Sequence, residues 1–314
     1  MIGDARKVSA KLVVGLPVHN EQRYIEETLR ALARQDFTDF KVLISDNASD
    51  DDSRALCEAF AAGDSRFVYV RQPENIGAAR NFTFCLDASS SEYFMWCGAH
   101  DVIADNFLSA MSAALDQDAG VGLAFGARVA IDEASAPIAS MNRDDRYVYR
   151  FSRNRYLRYA QAACALSECT IVYGLFRRKH LHGFVMEPVQ SCDRVLLCHA
   201  LFFGRLTYDF SATYARRFFT QRPGNQAERI LGSTSKSGLD DRSFVAYFAA
   251  DLDSCFGSLD MSTLNRWRKR LVLKAIQARY LHRCGKRVGF LARLQVQTAR
   301  TLRIWIRHRL KLPV

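Results

Sequence analysis

The chain has 314 residues, 49% of them hydrophobic and 25% charged. That is a globular composition, long enough for one large or two modest domains, and it excludes a disordered chain, a collagen-like repeat or a disulfide-stapled miniature protein. The net charge of +11 sits at one end: residues 265–314 hold 15 of the 44 Lys and Arg and none of the 33 Asp and Glu, leaving 29 basic against 33 acidic side chains, a net of −4, elsewhere.

Residues 1–11 are polar and predict no secretory signal. Apolar runs predict strands at 11–16, 40–45, 67–71, 93–97 and 122–131. Between the first two, Ile25, Leu29 and Leu32 recur at helical spacing behind Asn20 and Glu21, which can cap an N-terminus. Ser49 and the run Asp50, Asp51 and Asp52 predict a second helix with acidic residues in its first turn, and further helical patterns cover 78–88 and 105–115. This alternation predicts an α/β fold with a Rossmann-like, mostly parallel sheet flanked by helices. The polar stretch 132–155, with Pro137, predicts a surface excursion; 170–177 predicts a strand and 194–203 a buried helix ended by Gly204. The apolar stretch 160–176 carries Gln161 and Glu168, so a membrane-spanning helix is not expected. Residues 223–240 are Gly/Ser-rich and expected to be mobile, and 243–256 and the basic tail are expected to be helical. The organisation expected is one domain over 1–225, with halves at 8–131 and 132–225, and a basic helical segment over 226–314.

Nine cysteines (57, 85, 97, 164, 169, 192, 198, 255 and 284) show no C-x-x-C spacing, which argues for reduced thiols in a cytoplasmic protein rather than a zinc or redox motif. In an open α/β sheet ligands bind beyond the carboxyl ends of the strands. Those ends carry Pro17, His19, Asn20 and Glu21, then Asp46 to Asp50, then His100 and Asp101.

The runs VVGLPVHNEQRYIEETLRAL, FKVLISDNASDDDS, PENIGAARNFTF and EYFMWCGAHDVIADNFL, in this order, resemble family-2 glycosyltransferases of the GT-A type. The resemblance covers about a third of the chain. It implies a GT-A fold, inverting transfer from a nucleotide sugar, a UDP-sugar favoured, and a role for each matching residue. Pro17, His19 and Glu21 would approach the nucleobase, and Asp46, where many members carry two acidic residues, would accept from base or ribose. Asn75, Gly77, Arg80 and Asn81 would lie against the nucleotide. Asp101, with His100 beside it, would hold a divalent cation, Mn²⁺ or Mg²⁺, on the diphosphate, although Gly98 and His100 stand where the family usually has aspartates. Later runs, IVYGLFRRKHL and CDRVLLCHALFFGRLTY, resemble the acceptor-side half. There Asp193 would be the general base, with Glu187 as its competitor, and Arg216 and Arg217 would approach the diphosphate. Arg177 and Arg178 receive no such role. Asp46, Asp101 and Asp193 also read as ordinary helix caps.

The expected partners are therefore a nucleotide-sugar donor and a glycan or lipid-linked acceptor. The tail alternates Leu, Ile, Phe and Trp305 with Lys and Arg, which suits an anionic membrane surface on the cytoplasmic side or packing on the domain. No nucleic-acid-binding signature is present. Two other readings stand beside the transferase: a non-catalytic scaffold that binds glycan or lipid, favoured by Gly98 and His100, and a nucleotidyltransferase, disfavoured because no Gly-rich basic loop follows the first strand. A dinucleotide dehydrogenase is excluded by the lack of G-x-G-x-x-G.

Overall fold

A computed structural model describes residues 7–142, 148–184, 186, 192–219, 241–257, 272 and 274. Ten strands alternate with seven α-helices among them: β1 Val8–Ser9, β2 Leu12–Val18, α1 Ile25–Ala33, β3 Phe40–Asp46, α2 Ser53–Gly63, β4 Phe67–Arg71, α3 Ala78–Asp87, β5 Ser89–Ser90, β6 Tyr93–Trp96, β7 Val102–Ile103, α4 Phe107–Asp116, β8 Val121–Ile131, α5 Arg155–Ala165, β9 Leu175–Arg177, α6 Cys192–Phe203, β10 Arg205–Arg217 and α7 Asp241–Gly257. Eight strands form one sheet in the order β4-β3-β2-β6-β9-β8-β10-β7, and β1 and β5 pair separately.

The β4-β3-β2-β6 half is parallel throughout. Its central strands are buried along nearly their whole length, which is why they read as unbroken apolar runs. β9 then runs antiparallel to both β6 and β8, β8 and β10 are parallel, and β7 closes the edge antiparallel to β10. The sheet is thus mixed, with the predicted parallel part intact. Trp96 is fully buried, and its indole N–H donates to Phe82 O at 2.9 Å, so the largest core side chain leaves no polar atom stranded.

Several local expectations need correction. Asn20 and Glu21 do not cap α1, which begins at Ile25 without a side-chain cap. Asn20 has φ 55° and its Oδ1 accepts from Asp50 N at 3.0 Å. The three aspartates precede α2 rather than filling its first turn. Asp51 accepts from Ser53 N at 2.9 Å and Gln22 N at 3.1 Å, so this acidic run bolts the β2–α1 loop to the β3–α2 loop. The predicted strand at 170–177 opens as a 3₁₀ turn, Thr170–Tyr173, and only its end is β9.

α5 begins where a surface excursion was expected to end. Asn154 caps it, accepting from Tyr156 N at 3.1 Å and Leu157 N at 3.2 Å, an arrangement worth about 1 kcal/mol. Its buried Arg158 reaches Leu201 O and Phe202 O at the end of α6, satisfying carbonyls that have no helical partner. Burial, with Arg155 and Arg205 nearby, lowers the Arg158 pKa to about 10.

α7 packs on this helical layer: Phe248, Leu252 and Cys255 are buried, and Asp251 accepts from Tyr159 Oη at 2.7 Å and from His199 Nδ1 at 2.7 Å. Among the described residues no helix is long and apolar enough to cross a membrane. The 223–240 segment, Glu187 and nearly all of the basic tail lie outside the described residues.

Candidate active site

The carboxyl ends of β2, β3 and β6 meet, and the loops beyond them interlock. Asp46, the last residue of β3, is fully buried. Its Oδ1 accepts from Ser49 N at 2.9 Å, and its Oδ2 from Tyr69 Oη at 2.6 Å and Arg71 Nη1 at 2.5 Å. Burial alone would raise its pKa, but the bonds from Ser49, Tyr69 and Arg71 outweigh it and hold the carboxyl below the usual carboxylate range. Asp46 therefore sets the shape of the β3–α2 loop.

His19 and Asn75, expected on one ligand, are in contact: Asn75 Nδ2 donates to His19 Nε2 at 3.1 Å. Asn75 Oδ1 accepts from Asn47 Nδ2 at 2.8 Å and Gly77 N at 2.9 Å, which fixes the turn into α3. Gly77 has φ 82°, a conformation costly for any side chain with a Cβ. The turn delivers the N-terminus of α3 with Arg80 exposed in its first turn, a positive helix end suited to phosphate. Asn81 instead turns inward, its amide paired with Ser45. Pro17 is half-buried at the end of β2.

Asp101 is 1% exposed. Tyr214 Oη donates to its Oδ2 at 2.8 Å and Arg217 N to its Oδ1 at 2.8 Å, both from β10. His100 Nδ1 donates to Glu21 Oε1 at 2.9 Å, its Nε2 lies 3.9 Å from Asp101 Oδ1, and its ring packs edge-on to Phe219. Glu21 thus reaches across to the β6–β7 loop.

These residues do not fit a hard divalent cation, which takes oxygen ligands. The one carboxylate of the degenerate motif is turned inward and held by protein donors, and the imidazole beside it is braced on Glu21. A Cβ at Gly98 would meet the Asp101 carboxylate, lying 3.0 Å from its Cγ, so the family's missing aspartate has no room while Asp101 keeps this position. Among the described residues, three possible metal-ligand side chains converge only at His199, Asp251 and Cys255, where α6 packs on α7.

Tyr173 is stacked on Tyr214 at 5.4 Å between centroids. Burial pushes the Tyr173 phenol up; Arg216 opposes this, and Asp101 and Asp193 add to it, so three predicted site residues act on one side chain. Asp193 stands in the first turn of α6, half-buried, its Oδ1 accepting from Arg194 N at 2.8 Å. Arg216 donates through Nη1 to Glu168 Oε1 at 3.1 Å and Thr170 Oγ1 at 2.5 Å.

Arg217 is enclosed. Its guanidinium donates to His100 O at 2.9 Å, Asp132 O at 2.7 Å, Glu27 Oε2 at 2.6 Å and Ser135 Oγ at 3.0 Å, and lies over Tyr24. Here it braces α1, the β6–β7 loop and the segment after β8. Arg177 and Arg178 are likewise tied to carbonyls such as Val121 O and Ser89 O, distant in sequence. Sequence reasoning missed Tyr173, Tyr214 and Glu168; their only signal was apolar or ordinary surroundings, because each acquires a role through residues far along the chain.

Residues 13–184, just over half of the chain, match the profile of the family described as glycosyl transferase family 2. An abequosyltransferase, RfbV, of Salmonella typhimurium is 27% identical over 166 residues, covering 51% of this chain and 48% of the relative. A GalNAc(5)-diNAcBac-PP-undecaprenol beta-1,3-glucosyltransferase of Campylobacter jejuni is 28% identical over 102 residues, 32% of this chain and 33% of the relative. The chain thus spans about half or less of the length of these curated relatives. Among solved structures, Staphylococcus aureus TarS 1–349 in complex with UDP-GlcNAc superimposes with a TM-score of 0.64 at 15% identity, over 87% of this chain and 73% of that one, a likeness of fold.

Proposed function

The chain belongs to glycosyl transferase family 2, and we propose that it moves a sugar from a nucleotide sugar, UDP-sugars first, to a hydroxyl of a cell-surface glycan or lipid-linked acceptor with inversion. The observation that supports this reading is the family match over residues 13–184 together with the interlocked loops beyond the strand ends, where His19 meets Asn75 at the turn into α3. The UDP preference accords with the UDP-GlcNAc bound by TarS.

In this reading the donor diphosphate lies toward the N-terminus of α3 and Arg80. The acceptor hydroxyl attacks the anomeric carbon from the opposite face, Asp193 takes its proton, and the bond to the diphosphate oxygen breaks with its electron pair leaving on the nucleoside diphosphate. Positive charge at the leaving group comes from Arg80 and the helix end. Asp46 and Arg217 shape the site without touching the substrate. A cytoplasmic location, with the basic tail against anionic lipid, is part of the same proposal.

The test is release of nucleoside diphosphate from UDP-, GDP- and dTDP-sugars, followed by phosphorus NMR with a panel of glycosides as acceptors, for the full chain and for Asp193→Asn. Acceptor-dependent release lost in the variant supports the transferase. The scaffold reading, which Gly98 and His100 favour, expects no release from any donor.

A further inference from the structure

On the face of β8 and β10 beside the 3₁₀ turn Thr170–Tyr173 lies a cavity of about 240 Å³, walled by Tyr149, Tyr208, Phe210, Arg128, Glu168 and Thr170 among others. It arises from a defect in the sheet. The pairing of β10 with β8 shifts register between Tyr208 and Thr213, so the residues between leave the ladder. Phe210, in that interval, is 57% exposed, the one exposed large hydrophobic residue among those described. It stacks on Tyr208 with centroids 5.5 Å apart and planes at 15°, and Tyr149 is stacked on Phe151 at 5.7 Å and 5°. Three of these rings, Tyr149, Tyr208 and Phe210, border one small space.

Its polar wall is charged and fixed. Glu168 Oε1 accepts from Arg216 Nη1 at 3.1 Å and from Thr170 Oγ1, and Glu168 Oε2 lies 3.3 Å from Arg128 Nη1. The Arg128 and Glu168 side chains are only 8% and 16% exposed, so their positions are set by packing rather than by solvent. A carboxylate between guanidinium groups offers acceptor and donors side by side, the pattern that vicinal ring hydroxyls need, while aromatic faces suit the C–H face of a pyranose. An acyl chain would leave that charged wall desolvated without compensation. The volume is below the roughly 300–1,000 Å³ of drug-sized sites, which suits one sugar ring.

We propose that this cavity is the acceptor subsite for a single pyranose, with Phe210 as its stacking platform and Glu168 as its hydroxyl-binding group. The proposal rests on the transferase reading, because what makes the bound sugar an acceptor is its path to the transfer centre. Arg216 provides that path: it bonds Glu168 at the cavity and lies on β10 next to Arg217, whose backbone N–H binds Asp101.

The experiment is saturation-transfer NMR of the full chain with methyl glycosides of glucose, galactose, mannose and N-acetylglucosamine, run with and without UDP. At least one glycoside is expected to take up saturation from aromatic protons. Phe210→Ala is expected to weaken it about tenfold, a loss of the size of one aromatic contact. Phe210→Tyr should retain binding, and Glu168→Gln should change which glycoside is preferred. A bound glycoside indifferent to both Phe210→Ala and Glu168→Gln overturns the proposal, as does a chain that binds UDP and none of the glycosides. Phe210-dependent glycoside binding without nucleotide binding would keep the sugar subsite and remove the transferase.

Discussion

Asp46 ends β3 and Asp101 stands just before β7; both are buried and both accept from several donors, yet they join different things. The donors to Asp46 are Ser49, Tyr69 and Arg71, all from the β3–β4 neighbourhood. Those to Asp101 are Tyr214 and Arg217, more than a hundred residues away on β10. The parallel half of the sheet is thus shaped by its own residues, whereas the mixed half is stitched to it through Asp101 and the Arg217 guanidinium. The difference teaches that a residue at a motif position can serve to join two halves of a sheet as well as to shape its own loop.

The largest expected effect does not touch that stitch. Asp193→Asn should lower kcat by about 10²–10⁴-fold, the usual contribution of a positioned base, with nucleotide affinity and melting temperature unchanged. An unchanged kcat in this variant, whose amide oxygen can still accept from Arg194 N, would show that Asp193 only supports the start of α6. Next, Asp101→Ala strands the buried Tyr214 hydroxyl and Arg217 N–H and should cost about 2–4 kcal/mol in urea unfolding. Asp46→Ala should cost less, because the partly exposed Arg71 can turn to solvent. Equal costs would erase the contrast between the two carboxylates.

Gly122→Ala tests the mixed half alone. A Cβ there would lie 2.7 Å from Gly204 Cα and against His180, so about 1–3 kcal/mol of destabilisation is expected. The last effect is pH-dependent and small near neutrality. Burial, with Lys179 and Arg177 nearby, lowers the His180 pKa from 6.5 to about 4. Above 6.5 the ring is neutral in folded and unfolded chains alike and costs nothing. Between 6.5 and about 4 the unfolded chain takes up a proton the folded one resists, so stability falls as pH falls. Thermal melts across this window should show that decline, shallower in His180→Gln.

The parallel half was legible because each buried strand is an apolar run and each loop beyond it carries polar residues. β10 was not, since it is half-exposed, broken in register and mixed in character over Arg205–Arg217. α5 was obscured by its arginines, one of which is buried as a cap for α6. That Asp193 opens α6 was legible from its place before an apolar run, whereas the His19–Asn75 contact was not, because it joins two loops 56 residues apart. The brace made by Arg217 could not, because its partner Glu27 lies 190 residues away.

The central claim, a nucleotide-sugar site at the β2, β3 and α3 ends that does not need a divalent cation, is tested most directly by calorimetry of UDP-, GDP- and dTDP-sugars in EDTA and in Mn²⁺, with Arg80→Ala alongside. The expected result is binding of one nucleotide class with similar affinity in both buffers, weakened about tenfold or more in Arg80→Ala. Binding seen only with Mn²⁺ would contradict the reading of Asp101 as a stitch, and no binding of any nucleotide would contradict the donor site itself.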